Sequence, residues 1–359
     1  QVRFLPGAPV TSSFLFHPCL SLLSTILRLS KAHAKCYVLP WFRLSSQIQS
    51  CSYCVLNDNM PNTLAHFGIQ GLLTRLAIPT ADPKIVFLGC ILPDIPWITQ
   101  RMVLGLIPNL DPYSVRLYVI IQASLFMTLI LCGALAVLSK TPAMVFGILA
   151  MGSTMHLLLD SLQTKLGNGV HFFAPLSWEL LNFELFWPED LPTLILTGVG
   201  AGFFLWSWNQ ALSRRLNFSI SLKTVSLSLA LLCIYMTLPV VFWNGPYASD
   251  NHYVKTLQVR EERAGRPIEF DRTYYEKYQD RDVVHAYGEL LHVHGLKLDH
   301  AATVSIQGRF LTIDDIEILN MHEHAGWFRD GSSYIGLSLL CVMWIIALYR
   351  YARSPKSEK

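Results

Sequence analysis

The chain has 359 residues, 52% hydrophobic and only 15% charged, with a formal net charge of +3. Soluble domains carry roughly a quarter charged residues, so this composition excludes an ordinary water-soluble fold for most of the chain. The small net charge, with no basic stripe of interleaved aromatics, argues against nucleic acid as a partner.

Residues 1–59 contain no Met, whereas nine follow from Met60 onward. They hold Arg3, Arg28, Lys31, Lys35 and Arg43 against a single acid, Asp58, the bias of a targeting segment. They also hold Cys51-x2-Cys54, a half-site for metal that lacks its second pair. The reading preferred over both is a start at Met60, with 1–59 a non-native or disordered extension. Cys90, Cys132, Cys233 and Cys341 lie in apolar runs and read as small hydrophobes. With no Cys, 245–332 is not disulfide-stapled.

Apolar runs predict spans at 84–106, 115–138, 143–162, 191–211, 225–243 and 333–351. Each is long enough to cross a hydrocarbon core of about 30 Å. The run 63–76 is shorter and reads as an interfacial or re-entrant helix, or as a further span extended through Ile78. The fold class is thus a polytopic α-helical membrane protein with about five to six spans and a small β-rich domain outside the membrane. Its parts are a core at 60–212, a loop and span at 213–244, the domain at 245–332, and a last span with a basic tail at 333–359. Arg214, Arg215 and Lys223, with Arg350, Arg353, Lys356 and Lys359, mark the cytoplasmic side. Counting spans then puts 165–190 and 245–332 outside, and the C-terminus inside.

Within 245–332, the charged stretch 255–281 reads as helix or irregular chain. "ELLHVHGLKL", "ATVSIQG" and "RFLTIDDIEILN" read as strands of a small barrel or sandwich, OB-like. His285, His292, His294, His300, His322 and His324 fall here. His292 and His294 would share one strand face and offer a second metal site, although exterior histidines are usually solvated.

Ionisable residues inside apolar segments are costly and mark function by default. The core has His66, Asp94, His156 and Asp160. His156 and Asp160 are four apart, so a helix puts both on one face. Asp94 sits between Pro93 and Pro96, which break the helix ladder and turn the carboxylate toward a cavity. Taken singly, each could be bonded to a neighbour, and an Asp could pair with Arg101. Four together are expensive without a shared ligand. Two His and two Asp suit a divalent metal, zinc first, with manganese or iron compatible. His171 is then a further ligand or proton shuttle, and Glu179 and Glu184 are candidates for general base or outer support.

"MPNTLAHFGIQG", "DPKIVFLGCILPDIPWI" and "HLLLDSLQTKLGNGVHFFAPLSW" together resemble the membrane-bound metal-dependent hydrolases, whose bacterial members include the LexA-regulated inner-membrane hydrolases. The likeness covers about 60–212. It rests on His66, on Gly89 through Pro93-Asp94, and on His156 and Asp160 followed by Gly167, Gly169 and Pro175. Pro96 stands where the family commonly has a second acid. The resemblance supports Met60 as the start. It implies a metal-dependent hydrolase of a bacterial inner (plasma) membrane and leaves the substrate unassigned; a site at the membrane interface makes a lipid or phosphoester the expected substrate. The alternative is a non-enzymatic anchor that presents 245–332 to an envelope protein. A transporter would need an internal repeat, and none is evident.

Overall fold

The computed structural model describes residues 62–296, 298–326 and 328–353; the expectations for 1–59, Cys51-x2-Cys54 and a start at Met60 lie outside them. The first helices begin at side-chain caps. Asn62 accepts from Ala65 N to open α1 (Thr63–Ala77), and Asp82 accepts from Lys84 N to open α2 (Pro83–Gly89). A 3-10 turn, Leu92–Asp94, leads into α3 (Ile95–Leu106). Asp111 caps α4 (Pro112–Gln122) and Ser124 caps α5 (Leu125–Ala136). The long helices α6 (Pro142–Leu162), α7 (Leu191–Ser213) and α8 (Leu222–Val241) follow, the last opened by a Ser221/Thr224 capping box. Short helices α9 (Asn244–Ala248) and α10 (Val254–Gln258) lead into the barrel, and α11 (Phe328–Arg353) leaves it.

Four described helices are long and apolar enough to cross a membrane: α6, α7, α8 continuing through α9, and α11. A fifth crossing is counted if α4 and α5, bent by 70° at their junction, form one span. Leu205, Trp206, Leu229, Val241 and Ile345 face outward, as lipid contact requires. The expected span 84–106 is not one helix. Pro93 and Pro96 have no N–H to donate, so the ladder breaks into α2, the turn and α3. The run 63–76 is helical, but it is packed inside the bundle, with His66, Phe67, Gln70 and Thr74 all buried.

That packing depends on glycine. A Cβ on Gly200 of α7 would lie 1.6 Å from Leu64 O of α1, and one on Gly68 would lie 2.7 Å from Gly200 N. Likewise a Cβ on Gly152 of α6 would meet the Gly89 carbonyl carbon at 3.0 Å. Small residues let these backbones touch, the usual device where lipid supplies no hydrophobic drive between helices. Lys84 is fully buried, with Nζ on Asp82 at 2.9 Å and on Ala211 O and Arg214 O, the last carbonyls of α7. The same end of the bundle gathers Lys140, Arg214, Arg215 and Arg350. Lys140 N donates to Asn217 O, and Arg350 Nη1 donates to Leu212 O.

At the other end sits a closed barrel in the order β1-β2-β3-β5-β4, with β3 and β5 parallel. The strands are β1 (Pro267–Tyr278), β2 (Arg281–Ala286), β3 (Glu289–His294), β4 (Ala302–Phe310) and β5 (Asp315–Glu323). Ile268, Phe270, Tyr275, Val284, Leu291, Val304, Ile306 and Ile316 fill it. The small barrel was legible, but two strand assignments change. Much of 255–281 is β1, because its charged residues alternate with buried Ile268, Phe270 and Tyr275. "RFLTIDDIEILN" is not one strand; it turns over Leu311–Asp314, where Thr312 Oγ1 accepts from Asp315 N.

Candidate metal centre and cation-lined cavity

His66 comes from α1, Asp94 from the proline-bounded turn, and His156 with Asp160 from one face of α6. All four are buried. His66 Nε2 is 3.3 Å from Asp160 Oδ1, and His156 Nε2 is 3.2 Å from Asp94 Oδ1 and 3.6 Å from Asp160 Oδ2. The two imidazoles stack at 4.0 Å with 14° between planes. The four sequence candidates therefore converge, and the tightest set of ligand atoms, all within 4.8 Å of one another, is His66, His156 and Asp160.

The outer contacts decide what the rings present. His156 Nδ1 donates to Cys90 O at 2.6 Å. With its amide oriented to satisfy both ends, Gln70 accepts from His66 Nδ1 at 2.8 Å and from His156 N at 3.2 Å, and donates to Gly152 O at 3.3 Å. Both Nδ1 atoms are thus occupied, which leaves both Nε2 lone pairs for a cation. Neither Nε2 has a hydrogen-bond partner, nor has Asp160 Oδ1, despite burial. Buried polar atoms that converge without bonding one another are expensive unless something binds them, and a divalent cation fits the donor set. Lys165 Nζ holds the other carboxylate oxygen of Asp160 at 3.0 Å.

A small cavity of about 70 Å³ opens from Asp94, His156 and Asp160 toward the barrel. Its walls carry Arg101, Arg116, Lys165, Arg272 and Arg329 as cations, and Asp271 as a further acid. Arg272 owes its direction to a β-bulge: the register of β1 on β4 shifts between Phe270 and Thr273, and Arg272 has φ of 55°. His171 also lines the cavity, buried, with Nδ1 3.5 Å from Asn251 Nδ2. Burial pushes its pKa down to about 3, so it stays neutral at physiological pH and supplies a hydrogen bond rather than a charge. Buried His252 accepts from Arg116 Nη2 at 3.3 Å and is likewise held well below the usual range by burial, with Arg116 adding to the shift.

Glu179 and Glu184 are exposed on the 163–190 loop and line neither this cavity nor the larger one beside it. The acid of that loop that faces the barrel is Glu189. It accepts from Arg272 and pairs with His324 at 2.7 Å, beside His322 stacked on Trp187. Glu189, His322 and His324 offer a second three-ligand group, but the guanidinium of Arg272 already reaches Glu189 and His324 Nδ1. That group therefore reads as a charge network that holds Arg272. His292 and His294 form no such group among the described residues. The sequence reading missed Gln70, Lys165, Arg272 and Arg329. Arg116, a charge within the apolar run "VRLYVII", was a signal that could have been used.

Burial raises the Glu189 carboxyl, but the hydrogen bond and charge of His324 and the charge of Arg272 outweigh it, and the pKa falls from 4.5 to about 2. A carboxylate depressed on folding stabilises the fold above its unfolded pKa, and that contribution is lost as pH falls toward the folded value. Glu189→Gln is therefore expected to flatten the acid limb of a thermal-stability profile below about pH 4.5. An unchanged limb would show that this contact carries no such linkage.

Comparison with family models, curated proteins and solved structures returns no match for this chain.

Proposed function

We propose that the chain is a membrane-embedded, metal-dependent hydrolase, with His66, His156 and Asp160 as metal ligands and Asp94 beside them. The observation that carries this reading is the pair of unpartnered Nε2 atoms, each with its Nδ1 committed elsewhere. Zinc suits the donors best, with manganese or iron compatible. A divalent ion there would polarise a phosphoryl or carbonyl oxygen and acidify a water molecule. Asp94, beside His156, would take a proton from such a water; Lys165 pairs with Asp160 and would hold it for ligation, and the arginines would stabilise developing negative charge.

The motifs at His66, Pro93-Asp94 and His156-x3-Asp160 fit the membrane-bound metal-dependent hydrolase resemblance, with a bacterial inner membrane as the setting. The basic end with Lys140, Arg214, Arg215 and Arg350 would face the cytoplasm, and the cavity and barrel the exterior. The barrel supplies Asp271 and Arg272 to the cavity, which favours an enzyme over an anchor that presents a separate domain.

The test is hydrolysis of chromogenic phosphoesters and carboxylic esters by full-length protein in detergent, before and after chelation. Activity should vanish with chelator and return with zinc or manganese. In Asp94→Asn it should fall by about 10²–10⁴-fold. Activity indifferent to chelator and to Asp94→Asn would sink the reading.

A further inference from the structure

The cation wall goes beyond metal binding, and on the hydrolase reading it names a substrate class. We infer that the site takes the phosphate of a lipid phosphomonoester, with the phosphate in the small cavity and the lipid in the larger one beside it.

Five cationic side chains line the small cavity, Lys165 among them paired with Asp160 and Arg272 with Glu189. Arg329 is 4% exposed, lines this cavity, and has Nε and Nη1 without hydrogen-bond partners. Arg272, equally buried, leaves its own Nε unpartnered. Buried guanidinium groups with unused donors are costly unless an anion completes them, and planar forks match phosphate oxygens. A carboxylic ester would bring no charge to meet this wall.

The second cavity, about 420 Å³, shares Gln100, Arg101, Arg116, Asp271 and Arg272 with the first. Beyond those residues its apolar lining is Leu104, Ile107 and Leu110 at and just past the end of α3, with Phe270 and Tyr287 of the barrel, while Asn109, His252, Glu269 and His285 reach it as polar groups. Ile107 is half exposed, with Leu106 beside it 75% exposed, so the apolar rim lies where a lipid could enter. The cation-lined cavity and the larger one with its apolar rim meet along one wall, as an amphiphile with a terminal phosphate requires. In the reaction, water oxygen bonds to phosphorus, the P–O bond to the lipid alcohol breaks, and the water's proton passes by way of Asp94 to the departing alkoxide. The products are a lipid alcohol and inorganic phosphate.

The experiment uses the full chain in detergent with its metal content measured, and titrates inorganic phosphate, glycerol 3-phosphate and phosphatidate in mixed micelles, with phosphatidylcholine micelles as control. All three phosphates should bind, phosphatidate most tightly and phosphatidylcholine not at all. Arg329→Gln should weaken all three by about 10- to 100-fold, while Ile107→Asp should weaken phosphatidate alone. Phosphate that fails to bind metal-loaded wild type would overturn the inference while leaving the hydrolase reading standing; wild type that holds no metal would overturn that reading first. Phosphatidate bound no better than glycerol 3-phosphate would refute the lipid assignment. Should Arg329→Gln lose its metal through misfolding, Arg329→Lys serves: a metal-loaded variant with undiminished phosphate affinity contradicts the inference.

Discussion

Replacing His156 with alanine is expected to remove the metal and the reaction together. On the proposed reading His156 supplies one of two imidazole nitrogens to the ion, and its Nε2 lies within reach of both Asp94 and Asp160. Without it, only one imidazole and the carboxylates remain, in a site too buried for solvent to substitute. The companion variant Gln70→Leu keeps every ligand and removes the group that orients His66. It should weaken metal affinity by about 10–100-fold, the usual effect of losing an outer partner. Metal titration of both variants against wild type reads this directly. The ordering is the informative part: His156→Ala must lose more affinity than Gln70→Leu. Equal, undiminished affinity in both would mean that the ion, if any, sits elsewhere.

Gly200→Val should be the most damaging single change far from the chemistry. The added Cβ would fall 1.6 Å from Leu64 O, a backbone atom that cannot swing aside. Helix α1 must then move off α7, and His66 moves with it, two residues along from Leu64. Overpacking of this kind costs about 1–3 kcal/mol, and more where backbone blocks the way. A lower melting temperature in detergent with weakened metal binding is the expected pair of results. Gly198→Ala on the same helix is the control, because its Cβ would meet nothing within 4 Å. If Gly200→Val were as stable and as well metallated as Gly198→Ala, the close α1–α7 contact would not be what positions His66.

Much of the centre was legible because lipid makes polar residues conspicuous. His66, Asp94, His156 and Asp160 stand out in apolar text, and the i, i+4 spacing of His156 and Asp160 already implied one helix face. The break at Pro93 and Pro96 was readable too, although not its consequence, that 84–106 is no single span. The cation wall was hidden for the opposite reason. Arg272 and Arg329 lie in segments where charge is ordinary, and only a bulge in β1 and the start of α11 turn them to the cavity. Strand β1 was obscured by its own charged residues, since Glu269 and Asp271 accept hydrogen bonds from Gly167 and Asn168 of the core. Glu179 looked suitable by loop and residue type, but nothing local to its sequence tells an exposed loop acid from half-buried Glu189, which pairs at long range with Arg272 and His324.

The most direct measurement is metal content by elemental analysis of the full chain purified in detergent, joined to X-ray absorption at the edge of the bound metal. The expected result is one divalent ion per chain, in a nitrogen and oxygen shell with two imidazoles and no sulfur, absent from Asp160→Asn. A protein that takes up no ion on loading, or one whose ion survives Asp160→Asn unchanged, would contradict the metal centre.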